Sequence, residues 1–154
     1  MKRIVFFLTL LLFARTLVMA QNQNIDKLNA YKIAFFTKRL GLSTAEAEKF
    51  WPVYNEFQDK KLLLQQERNQ LNRNINLYAN TMSEKELTEA GDKYVNLIVK
   101  EAELAQEFHK KFREILNPQK VIRLYQAENQ YRLQLLNELQ DRRETRENLP
   151  INRQ

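Results

Sequence analysis

In 154 residues the chain has two glycines and three prolines, and this scarcity of breakers limits its fold more than any other feature. Turns between strands draw on glycine and proline, so a chain poor in both makes few of them. Its many Leu, Gln, Glu, Lys and Arg residues are helix formers. No stretch alternates apolar and polar residues as a half-buried strand requires. The expected fold is all-α: four helices forming two long helical hairpins, elongated, with no sheet.

The few breakers and caps divide the chain. A first helix is expected from about Ile25 to Leu40, with Leu28, Tyr31, Phe35 and Phe36 on its apolar side. Gly41 then stands where a left-handed C-terminal cap is needed. Ser43-Thr44-Ala45-Glu46 reads as a capping box, in which the serine oxygen and the glutamate carboxylate each satisfy the other residue's free backbone amide. The second helix should run from Thr44 to about Asn80, or about 55 Å. Pro52 falls inside it and removes one donor, so a kink or short break is expected one turn earlier. Trp51, beside that proline, is the candidate to pack the hinge.

On both sides of Pro52, the residues Phe50, Phe57, Leu64, Leu71 and Tyr78 recur every seven positions, the pattern of helices packed side by side. The flanking line is mixed, since Lys60, Lys61, Glu67 and Arg68 lie between apolar ends. Ser83 and Glu86 form a second capping box before a third helix from Glu84 to Leu116. Its apolar side is Leu87, Tyr94, Leu97, Ile98, Leu104, Ala105, Phe108, Phe112 and Ile115. Asn117 and Pro118 suit a cap and a first helical position, opening a fourth helix to about Arg146. The starts of the second and fourth helices also align with each other at an offset of seventy-four: Leu42 on Leu116, Ser43 on Asn117, Trp51 on Tyr125 and Phe57 on Tyr131.

Residues 1–20 have the form of a secretory signal peptide. Lys2 and Arg3 precede an apolar run from Ile4 to Ala14, and Val18-Met19-Ala20 supplies a cleavage site. The run is too short for a membrane helix. Removal of the leader lowers the Lys and Arg count from 25 to 22 against 19 acidic residues. That leaves too little excess charge for a nucleic-acid footprint. The expected plan is a helical domain over 21–140 and a polar tail over 141–154. With no cysteine there is no disulfide framework, so stability has to come from packed apolar surface.

The residues offer little to a catalyst. His109 is the one histidine, and Gln106 stands three residues before it, where a carboxylate-bridged metal bundle would place glutamate. A surface position suits it better than a metal site. No phosphate-binding loop can be built from two glycines, and the carboxylates sit near Lys or Arg at helical spacing, as Glu107 does to Lys111. The expectation is a non-enzyme with no cofactor and no metal.

Leu42-Ser43-Thr44-Ala45-Glu46 and Leu116-Asn117-Pro118-Gln119-Lys120 resemble the twice-repeated Leu-Thr-x-x-Gln motif of the Spy/CpxP family of periplasmic proteins. The run from Lys49 to Phe57, with Trp51-Pro52-Val53-Tyr54 at its centre, also looks like small exported helical proteins of Bacteroidetes related to that family. Glu46 and Lys120 depart from the motif at its two glutamine positions. Glu46 keeps the reciprocal cap. Lys120 does not, and places a positive charge at the positive end of a helix.

The resemblance implies a periplasmic four-helix protein that dimerises into an open cradle and shields unfolded or misfolded envelope proteins without ATP. It implies, as an alternative, a regulatory subunit that binds a sensor kinase or an anti-sigma factor. A narrow apolar stripe interrupted by Lys61 and Arg68 fits an open surface, although a closed bundle with those charges turned to water fits as well. On the open reading the candidate client contacts are Phe57, Lys61, Leu64, Arg68, Phe108, Lys111 and Phe112. Leu42, Ser43, Glu46, Leu116, Asn117 and Pro118 are the candidate motif and cap residues.

Overall fold

The structure is a computed structural model and describes residues 26–147; the expected leader and the last residues of the tail lie outside that range. Four α-helices and no strand make up the described residues. α1 spans 26–40, α2 Thr44–Tyr78, α3 Glu84–Ile115 and α4 Pro118–Glu147. Local chemistry sets these bounds. Gly41 adopts φ 61° and donates its amide to the Lys38 carbonyl at 3.3 Å, which closes α1 where a side chain at Cβ would be strained. Ser43 Oγ accepts from the Glu46 amide at 3.3 Å, and the Ser43 amide donates to Glu46 Oε2 at 2.8 Å. Ser83 and Glu86 repeat that exchange at 3.3 and 2.8 Å. Asn117 Oδ1 caps α4 by accepting from the Lys120 amide at 2.9 Å.

Pro52 causes no break, contrary to the sequence expectation, because α2 is continuous from Thr44 to Tyr78 with the proline inside it. Ring contacts on either side of the proline offset part of its cost. Phe50 and Tyr54 stack at 5.2 Å, and Trp51 meets both edge-on at 5.2 and 5.5 Å. Trp51 itself stays half-buried. α4 ends at Glu147, close to the Arg146 expected, so the helix takes in the first residues of the polar tail.

The described chain falls into two compact units, one of Leu42–Arg123 and one combining 26–41 with 124–147. In the first, α2 and α3 form an antiparallel hairpin. Phe50 lies 5.8 Å from Phe112, and Phe57 lies 5.2 Å from Phe108. Phe50, Tyr54, Leu97, Phe108, Phe112, Leu116 and Val121 are buried. Along the seven-residue stripe of α2, burial declines toward the turn: Phe50 is closed off, Phe57, Leu64 and Leu71 are half-buried, and Tyr78 is 56% exposed. In the second unit, α1 packs on α4. Phe36, Leu40, Leu124 and Ala127 are buried, and the Tyr131 ring sits 5.5 Å from Phe36 and 5.6 Å from Phe35.

The awkward charge of Lys120 is resolved within the first unit. Its Nζ reaches Glu46 Oε2 at 2.6 Å, seventy-four positions away in sequence, so the two residues at corresponding places of the repeated motif meet each other. The Lys120 ammonium, followed by the Ser43 backbone amide, pulls the Glu46 carboxyl from its ordinary 4.5 down to about 2. A carboxylate depressed in the folded state adds stability above its unfolded value, and loses that contribution as pH falls toward its folded value. The wild-type urea midpoint should therefore drop more steeply between pH 4.5 and about 2 than that of Glu46→Gln, which keeps the reciprocal cap but cannot ionise. Equal slopes in the two proteins would show that the pair is not coupled to folding.

Candidate protein-interaction surface

The residues that sequence singled out lie together on the α2–α3 hairpin but divide between core and surface. Phe108 and Phe112 are 0% and 2% exposed and form the interior of the hairpin with Phe57 and Phe50. They are core residues rather than client contacts, because the apolar stripe of α3 that carries them is the one turned toward α2. Phe57 is half-buried against both. Lys61 is half-buried, its Nζ 5.7 Å above the Phe57 ring. Arg68 Nη1 donates to Glu101 Oε2 across the seam. Leu64 remains partly accessible.

Lys111 anchors a charged network on one flank of the hairpin. Its Nζ lies 2.9 Å from Glu107, 3.7 Å from Glu56 and 4.1 Å above the Phe108 ring. Lys60 pairs with Glu56 at 2.7 Å and also lies 5.3 Å from the Phe108 ring. Hydrogen bonding to Glu107 holds the Lys111 ammonium above its ordinary range, and the same bond holds Glu107 below its own. Glu56 is lowered chiefly by Lys60. Farther toward the turn, Lys93 meets Glu67 at 3.2 Å. Exposed pairs of this kind contribute little to stability.

On that flank an open groove of about 390 Å³ is lined by Lys60, Leu63, Leu64, Lys100, Glu103, Leu104 and Glu107. Both signs of charge and three leucines share it. Leu63 is 65% exposed, and Leu77, near the turn, is 72% exposed. The opposite flank of the hairpin exposes Leu62, Val95, Ile98 and Val99. Sequence reasoning placed Ile98 on the packed side of α3 and passed over Leu62, Leu63, Val95 and Val99. The missed signal is a second apolar line on α3, Val95 with Ile98 and Ala102, running beside the buried one.

The capping residues fall where expected. Ser43, Asn117 and Pro118 are exposed at helix starts, Leu42 and Glu46 are half-buried, and Leu116 is buried at 3%. His109 is half-buried. Among the described residues no group of three or more His, Cys, Asp or Glu side chains converges to hold a metal ion, and no helix is long and apolar enough to cross a membrane. No protein-family model, curated protein or solved structure matches this chain.

Proposed function

We propose that this chain is an exported, non-catalytic protein of Spy/CpxP type that holds unfolded or misfolded envelope proteins in the periplasm without ATP and works as a homodimer. The observation that carries the reading is the open groove on the hairpin, where exposed Leu63 and half-buried Leu64 and Leu104 lie among lysines and glutamates. Large exposed apolar patches mark sites of interaction in stable proteins. Apolar contact supplies affinity there, and the charges supply attraction at longer range. A second observation supports the resemblance. The two motif positions at which glutamine is replaced face each other, Glu46 on Lys120, so the two departures compensate one another as an ion pair.

The test is light scattering of several chemically unrelated aggregating proteins with the purified chain at equal molar ratio and no nucleotide. Suppression across the panel is expected, and Leu63→Asp should weaken it while leaving the melting temperature near wild type, because Leu63 is exposed. Absence of suppression, together with one saturable partner captured from envelope extract by crosslinking, would assign the chain to regulation of a sensor kinase or anti-sigma factor instead.

A further inference from the structure

Two tyrosines far apart in sequence meet where α1 packs on α4. The rings of Tyr31 and Tyr131 lie 6.3 Å apart and 29° from parallel, a stacked arrangement within the range that aromatic pairs prefer. Their neighbours hold them there. Gln134 Nε2 donates to Tyr31 Oη at 2.5 Å, and Phe35 and Phe36 pack on Tyr131 at 5.6 and 5.5 Å. The two phenol oxygens are near enough to interact, since Tyr31 adds to burial in raising the Tyr131 phenol above its ordinary range.

Access to the pair is unequal. Tyr31 is 42% exposed and Tyr131 is half-buried, so an oxidant in solution reaches the first ring, and the second lies stacked beside it. Phe35 and Phe36 fill other sides of Tyr131 without a hydroxyl from which a phenoxyl radical could form. The chain has no cysteine, so an oxidising compartment cannot close a disulfide across this seam. Joining the two phenols is the covalent alternative that the packing of α1 on α4 leaves open.

We propose that Tyr31 and Tyr131 form an oxidative modification site, at which a one-electron oxidant generated from hydrogen peroxide, of the haem-peroxidase kind, couples the two rings into dityrosine. Each phenol gives one electron to the oxidant and its proton to water. The two phenoxyl radicals then join through ring carbons ortho to the oxygens, forming one Cε–Cε bond. The hydrogen on each joined carbon leaves as a proton while the adjacent oxygen takes one up, which restores both phenols. The two electrons and two protons released overall reduce one hydrogen peroxide to two waters. The new bond ties α1 to α4 and closes a long loop, which removes freedom from the unfolded chain. The inference stands apart from holdase activity, since a chain that protects no client still holds these rings together.

The test treats the dilute purified chain with a haem peroxidase and hydrogen peroxide and then isolates the monomer. That monomer should gain dityrosine fluorescence, lose two hydrogens in mass, and yield a crosslinked tryptic pair in which residues 28–32 are joined to 124–132. The second peptide also contains Tyr125, so variants make the assignment. Tyr31→Phe and Tyr131→Phe keep both rings packed and should melt near wild type, yet lose the crosslinked monomer. Tyr125→Phe should form it as wild type does. The crosslinked monomer should melt at least about 5 °C above the untreated chain. Absence of a crosslinked monomer, a bond mapped to other tyrosines, or an undiminished yield from Tyr31→Phe would overturn the inference. So would an equal yield of the same peptide pair from chain unfolded in urea, because the fold would then have no part in bringing the rings together. An unchanged melting temperature in the mapped product would overturn the tie between α1 and α4.

Discussion

Phe108→Ala should lower the unfolding free energy by about 3–5 kcal/mol, the usual loss for a large aromatic removed from a core. The side chain is fully buried, its ring lies 5.2 Å from Phe57 and 6.3 Å from Phe112, and the ammonium groups of Lys111 and Lys60 sit 4.1 and 5.3 Å from it. Truncation removes the ring from both sets of neighbours at once. It leaves a cavity between two helices that meet along a single seam, and it strips both lysines of their aromatic partner. Domains of this size have about 5–15 kcal/mol in total, so much of the margin would go. Urea denaturation followed by helical circular dichroism measures the loss. A value under about 1 kcal/mol would mean that Phe108 is not core, and would return it to the candidate client contacts of the open reading.

Phe108, read in the sequence both as part of the apolar side of the third helix and as a candidate contact, illustrates what periodicity can and cannot convey. The helix bounds near Ser43, Ser83 and Asn117 were readable because a cap is chemistry between residues three apart, and the Gly41 turn depends on one residue's missing Cβ. The seven-residue line from Phe50 to Tyr78 likewise identified the face of α2 that meets a neighbour. Two things lay outside its reach. A stripe does not say how far along its length the neighbour covers it, and here Phe50 is sealed while Tyr78 is 56% exposed. Nor does any local pattern join Lys120 to Glu46; in isolation the lysine looked misplaced at a helix N-terminus, and only the fold supplies the carboxylate 2.6 Å away. The surface side chains Leu62, Leu63 and Val95 escaped notice for the same reason, since an exposed leucine and a buried one look alike in a helical sequence.

Arg68 and Glu101 should give the second large effect, and one that reverses sign between single and double variants. They pair across the α2–α3 seam with side chains 28% and 24% exposed. The remaining carboxylate oxygen, Glu101 Oε1, is buried without a hydrogen-bond partner among the described residues. Arg68→Met removes the only donor shown to reach Glu101 and leaves its charge uncompensated in the seam, for a loss of about 1–3 kcal/mol. Adding Glu101→Leu removes the stranded carboxylate and fills the layer with apolar volume. The double variant should recover that loss and exceed wild type by about 1 kcal/mol, as apolar replacements of partly buried ion pairs do. The pair also acts on register. A hairpin held by a repeat of seven has alternative alignments one heptad apart, and a polar layer that matches in only one of them penalises the others. The double variant should accordingly unfold at equal or higher urea concentration while its amide hydrogens near Leu64 and Leu97 exchange faster than in wild type. If exchange there stayed as slow as in wild type, the ion pair would have no part in fixing the alignment, and the ring contacts of Phe50, Phe57, Phe108 and Phe112 would be setting it alone.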